Sequence, residues 1–321
     1  MKYVGLHTQQ VRNNFRSVFL LCLFPCLVVL LTFLFCALLV LFTPDEHANM
    51  GVLEQSMPLF LSLTPYVLCG VVIWFLIAYF ANTSIIQSAT GARPLERKEN
   101  KRVYNLVENL CMAQGMTTPK INIIEDDSLN AFASGINNRT YTVSLSRGII
   151  NKLDDDELEG VIAHELSHIR NRDVRLLIVS IVFVGIFAML TQIALRSLRF
   201  APGRNRSNNK DGKGTIVLVL IALVVAAIGY FFSTLMRFAI SRNREYMADA
   251  GAAEMTRKPN ALASALRKIS RDPDIEAVTR ADVAQLFIEH PLKKEKLFSG
   301  MSSLFATHPP IKKRIAVLEQ F

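Results

Sequence analysis

Residues 160–173 read GVIAHELSHIRNRD, and the stretch that follows, VRLLIVSIVFVGIFAMLTQIAL (174–195), carries charge only at Arg175. The first part has the polar residues of a reactive site, and the second is apolar enough for a bilayer. In NKLDDDELEG (151–160), Asp154 followed three residues later by Glu157 predicts the start of a helix with a capping box. Leu158, Val161, Ile162, Leu166 and Ile169 then form one apolar stripe. On that helix His164 and His168 lie one turn apart, roughly 40° from each other around the axis. Two imidazoles so placed can share one metal ion, and Glu165 is close enough to act on a water that the metal activates.

A catalytic zinc takes three protein ligands and keeps a position open, so a third donor has to come from elsewhere. The other histidines are His7, His47, His290 and His308. MRFAISRNREYMADAGAAEM (236–255) offers a better source, because Glu245 and Asp249 are four apart on an uninterrupted helical pattern. One carboxylate can bind the metal while the other accepts a hydrogen bond from a ligating imidazole. The spacing leaves open which does which.

The chain has 321 residues, 51% of them hydrophobic, and the apolar excess is concentrated. Uncharged runs occur at Ser17–Phe42, Ser56–Gln87, Leu176–Leu195 and Thr215–Met236, which predicts four transmembrane helices. Pro25, Pro58 and Pro65 interrupt the first two, as membrane helices tolerate. Lys2, Arg12 and Arg16 precede the first run, TPDEHANMGVLEQ after it has no Lys or Arg, and GARPLERKENKR after the second is basic. The positive-inside tendency therefore places the N-terminus and residues from about 88 to 175 in the cytoplasm. The loop RSLRFAPGRNRSNNKDGKG (196–214) conflicts with simple parity, because it is basic where an external loop is expected. Either the first two spans dominate the topology or the last two enter without crossing. If the histidine helix ran on into the third span and the fourth ran on into the Glu245 helix, His168 and Glu245 would stand ~9 and ~10 Å above the apolar runs. The hairpin would then hold the ligands in register.

Outside the spans remain about 88–173, the short loop after the third span, and 238–321. KENKRVYNLVENLCMAQGM predicts a helix with Val103, Leu106, Leu110 and Met112 on its apolar face, ending at Gly115. INIIEDDS, LNAFASG and RTYTVSLSRGII read as short strands of a small antiparallel β-sheet with a hairpin. The cysteines show no paired spacing that would suggest a disulfide framework. The net charge of +9 comes from basic residues beside membrane segments, which favours membrane lipid as the partner over nucleic acid.

SLNAFASG, HELSHIRNRD, REYMADAGAA and THPPIKKRI, in this order and interleaved with four spans, resemble the HtpX-type membrane zinc metalloproteases, relatives of the CAAX prenyl endopeptidase. The resemblance covers nearly the whole chain. It implies a mainly α membrane protein: four transmembrane helices and a zincin-like, thermolysin-type catalytic domain on the cytoplasmic face of the bacterial inner membrane. Its segments are 1–87 (two transmembrane helices), 88–173 (sheet and histidine helix), 174–237 (transmembrane hairpin) and 238–321 (Glu245 helix and C-terminal helices). It further implies one zinc ion held by His164, His168 and Glu245, Glu165 as general base and acid, and Asp249 as the hydrogen-bond partner of a ligand. His308 would steady the tetrahedral intermediate with support from Arg314. Asn130, Ala131, Phe132 and Ala133 would form an edge strand that pairs with extended substrate. The implied substrates are unfolded or damaged membrane proteins, handled alongside other membrane quality-control proteases.

Two other readings compete. In an intramembrane protease of the site-2 type the histidine motif lies within a span, but Arg170, Arg172 and Asp173 follow it here. A membrane scaffold with a structural zinc would normally close all four positions with protein ligands, and no fourth is evident.

Overall fold

The computed structural model describes residues 6–42, 51–200, 210–238, 243–270 and 309–321. Two compact units emerge, one from Val18–Tyr79 and Val179–Arg237, the other from Met1–Ser17, Phe80–Ile178 and Phe238–Phe321.

The first unit is built from the middle parts of the long helices α1 (Leu6–Phe42), α2 (Val52–Thr90), α6 (Asp173–Phe200) and α7 (Lys210–Phe238), whereas the start of α6, Asp173–Ile178, belongs to the second unit. Each contains one of the four uncharged runs. Pro25, Pro58 and Pro65 lie inside α1 and α2. Cys22–Phe42 and Val52–Ile77 are long and apolar enough to cross a membrane, and α7 has a shorter apolar stretch, Val217–Phe232. The unit packs through aromatic edges: Phe24 meets Phe187 at 5.7 Å and Phe33 meets Phe60 at 5.4 Å between ring centroids. Gly229 lies so close to the Phe187 ring that a β-carbon would stand 2.3 Å from it. Elsewhere large apolar side chains face outward, Leu61 and Tyr66 among them.

The second unit places a small sheet beside a group of helices. Its strands are β1 (Arg93–Pro94), β2 (Lys120–Ile124), β3 (Ala131–Ser134) and β4 (Thr142–Ser146), in the order β1-β2-β4-β3. β3 and β4 form the expected antiparallel hairpin, with Ala131 opposite Leu145 and Ala133 opposite Val143. The sheet is nevertheless mixed, since β2 and β4 run parallel with Ile121 opposite Val143. This corrects the all-antiparallel expectation. β4 takes the central place between β2 and β3, and β3, although as fully buried as β4, ends the sheet.

RGII, expected to extend the last strand, instead forms helix α4 (Arg147–Lys152). Ser146 is the reason: its hydroxyl caps the helix by accepting from the Ile149 N–H, and it also donates to the Ser128 carbonyl at 2.6 Å. Gly148 is required there, because a β-carbon would collide with the backbone of Asp127. Helix α3 (Lys101–Ala113) starts at Asn100, which accepts from the Val103 N–H, and buries Val103, Val107, Leu110 and Cys111. Met112, expected on that face, is 71% exposed; position 112 falls two residues past Leu110, on the far side of the helix.

Helix α5 (Asp155–Arg170) opens with the anticipated capping box between Asp154 and Glu157. It packs against α3, α8 (Asn243–Thr256), α9 (Pro259–Ile269), β3 and β4. All five residues of its apolar stripe are buried, each such side chain stabilising the fold by about 1.5–3 kcal/mol. Small residues let neighbours approach closely: Gly160 faces Leu262 of α9 and Gly251 of α8 faces Ser167. A short C-terminal helix, α10 (Ile311–Leu318), packs on α8 and α9.

The histidine helix does not continue into the third apolar run. It ends at Arg170, Arg172 takes a left-handed conformation with φ 60°, and α6 begins at Asp173. The continuous helix assumed above is therefore corrected. The corresponding link between α7 and α8, residues 239–242, lies outside the described residues.

Candidate metal centre

α5 and α8 bring together the residues that the sequence separates by about eighty positions. The Nε2 atoms of His164 and His168 stand 3.2 Å apart, with their rings perpendicular. Glu245, in the first turn of α8, completes a triangle: its Oε2 lies 3.7 Å from His164 Nε2 and its Oε1 3.6 Å from His168 Nε2. Among the described residues these three form a group able to hold a metal ion. A tetrahedral ion with bonds of about 2.0–2.1 Å sets its ligand atoms roughly 3.3–3.4 Å apart, so the triangle fits with small adjustment at Glu245.

Both imidazoles are oriented by carboxylates. His164 Nδ1 donates to Asp249 Oδ1 at 2.9 Å, which leaves Nε2 for the metal. His168 Nδ1 meets Asp173 Oδ2 at 3.2 Å. The Arg314 guanidinium of α10 clamps Asp249 with two bonds, Nε to Oδ2 at 2.9 Å and Nη2 to Oδ1 at 2.7 Å. Its Nη1 lies 3.4 Å from Glu245, and Nη2 is 3.4 Å from each ring nitrogen of His164. Arg314, His164, Glu165 and Asp249 are all no more than 2% exposed. Such a charge cluster persists in a core only when it is fully paired.

Burial shapes the proton affinities. It pushes Glu165 up to about 7, with the Glu245 carboxylate adding to the effect. Burial also drives His164 down to about 4 against the pull of Asp249. At His168 burial acts in the same direction, but Asp173, Glu245 and Glu165 outweigh it and raise the imidazole to about 9. Asp249 is raised by burial and lowered more strongly by Arg314 and His164, so it stays charged.

The edge strand lies beside this cluster. Ser146 N–H donates to Asn130 O at 3.0 Å, so by antiparallel alternation Ala131 and Ala133 turn their backbone groups away from β4. The Ala131 N–H is taken by the Asn130 side chain at 3.0 Å, and the Ala133 N–H hydrogen-bonds the Glu165 carboxylate. Phe132, between them, turns its backbone toward Ser144, and its ring is wholly buried. His308 lies outside the described residues, whereas Pro309 is buried and Pro310 precedes α10. Asp173 is the site residue that sequence reasoning missed. Five positions separate it from His168, about 140° around an unbroken helix, and only the break at Arg172 brings it back.

A His-His-Glu triangle able to hold a metal, with His164 and Glu245 buried and His168 partly so, stands beside the buried Glu165, the donor set of a metallopeptidase. Residues 97–321 match Peptidase family M48, and the chain belongs to that family. It is 69% identical to the "Protease HtpX homolog" of Bacteroides fragilis over the full length of both chains. The homolog of the same name from Dictyoglomus thermophilum is 43% identical over 77% of this chain and 80% of its own. The crystal structure of S. mikatae Ste24p matches 90% of this chain and 62% of that one, with 19% identity and a TM-score of 0.46. The chain is a membrane metalloprotease.

Proposed function

We propose that the chain is a zinc-dependent endopeptidase of the bacterial inner membrane that cuts misfolded or damaged membrane proteins. The observation that carries this reading is the triangle of His164, His168 and Glu245 donor atoms with Glu165 buried beside it. Two imidazoles and a carboxylate suit zinc, and three donors leave a position for chemistry, unlike a closed structural site. When bound, zinc supplies a Lewis acid that polarises a peptide carbonyl and acidifies water. Glu165, with an affinity for protons near neutrality, takes the proton of the attacking water and passes it to the leaving amine. Asp249 holds the tautomer of His164, and Arg314 keeps Asp249 charged and fixed. His308, assigned by the resemblance, steadies the developing oxyanion, a role worth about 3 kcal/mol in comparable sites.

The Ala131 and Ala133 carbonyls, turned away from β4, suit an extended peptide bound through its backbone N–H groups, while the two N–H groups are held by Asn130 and Glu165. Recognition of that kind is indifferent to most side chains, as a protease for unfolded chains requires. We assign the soluble unit to a thermolysin-type zincin core facing the cytoplasm, and α1, α2, α6 and α7 to four membrane spans. Each of those helices holds one of the uncharged runs, which supports the assignment.

Glu165→Gln tests the chemistry. Purified in detergent and loaded with zinc, it should bind the metal like wild type while losing about 10²–10⁴-fold in cleavage of unfolded casein. Retained cleavage would rule out Glu165 as the proton carrier.

A further inference from the structure

The two imidazoles are steered from different helices. His164 is held by Asp249 of α8, the same helix that carries Glu245, whereas His168 is held by Asp173, the first residue of α6. Asp173 is 1% exposed, and its own carbonyl accepts from Arg244 Nη1 at 3.3 Å, next to Glu245 in the chain. The turn that delivers it is tight. Asn171 N–H donates to Ser167 O at 2.9 Å and Arg172 N–H to Ile169 O at 3.0 Å, after which the backbone of Arg172 turns left-handed. A residue with a β-carbon resists that conformation, and among the described residues only Arg172 and Arg257 combine it with a side chain. At Arg172 the result is a local contact that an unbroken helix forbids.

We propose that Asp173 is a positioning residue for the metal ligand His168: by accepting the Nδ1 proton it holds the tautomer that presents Nε2 to the ion, and the left-handed turn at Arg172 exists to bring it there. This rests on the zinc-site reading above. It makes the first residue of the third apolar helix part of the support of the centre, where the sequence shows only the end of one helix and the start of the next.

Zinc affinity of the full chain in detergent, measured by chelator competition, tests the proposal with Asp173→Asn and Asp173→Ser. Serine is tolerated in the first turn of a helix but is too short to reach His168, so Asp173→Ser should lose about ten- to a hundred-fold in zinc affinity while the metal-free protein still unfolds cooperatively close to the wild-type temperature. Asparagine keeps an oxygen that accepts the same proton, and Asp173→Asn should stay within roughly threefold of wild type. Nitrogen NMR of the histidines in zinc-loaded wild type, which needs no variant, should find His168 protonated at Nδ1 and ligated through Nε2. Wild-type affinity in a folded Asp173→Ser, or ligation of His168 through Nδ1, would overturn the role of Asp173 alone. A wild type that binds no zinc would overturn the site reading and this proposal together.

Discussion

The two units put unfavourable groups in opposite places. In the unit of long helices, large apolar side chains such as Leu30, Leu61 and Tyr66 are exposed, which in water would be an open invitation to aggregate. In the other unit, ionisable side chains are sealed inside: His164, Glu165, Asp249 and Arg314. Each arrangement is stable for its own reason. Lipid removes the penalty on exposed apolar surface, and mutual pairing removes most of the penalty on buried charge. The difference teaches that burial has no fixed sign; what matters is whether the surroundings answer the group.

The hardest blow to this contrast is Arg314→Met. It leaves Asp249 without its clamp inside the core, and the cost should be about 3–5 kcal/mol of unfolding free energy, read by chemical denaturation in detergent. Adding Asp249→Asn should recover part of the loss, and a fully stable Arg314→Met would mean that the cluster is not held by pairing.

A paired experiment sharpens the other half. Leu30 is 62% exposed and Met112 71%, yet Leu30→Arg should cost about 2.5–3.5 kcal/mol in membrane insertion whereas Met112→Lys should change stability by less than about 0.5 kcal/mol. Equal effects at the two positions would show that the exposed face around Leu30 does not meet lipid.

The mildest test varies pH alone. Without metal, His168 is held protonated up to about pH 9, and ligation needs the neutral ring, so zinc must displace a proton below that pH. Apparent zinc affinity should therefore climb by up to about tenfold per unit as pH rises from 6 and flatten above 9. Chelator competition across that range reads the slope; a flat line would contradict the proton held by Asp173, Glu245 and Glu165.

Much of the catalytic unit was legible because its signals are local. Asp154 and Glu157 announce the start of α5 through three-residue geometry, and His164 and His168 share a face by helical spacing alone. Glu245 and Asp249 likewise stand one turn apart, and α5 and α8 bring both to His164. Other features were misread although their causes are local. Met112 satisfies a loose helical pattern yet points away from it, and RGII is apolar enough for a strand until the Ser146 hydroxyl caps it as a helix.

The amino-acid sequence by itself determined where α5 begins, which segments are too apolar for water, and that two imidazoles and a carboxylate pair were available for a metal. These depend on interactions within a few residues, and the chain order carries them directly. Only the tertiary structure decided that β4 lies parallel to β2, that Arg314 closes on Asp249 from 65 residues away, and that a left-handed turn returns Asp173 to His168. Those choices compare the energies of distant partners competing for the same buried space, and no local pattern contains that comparison.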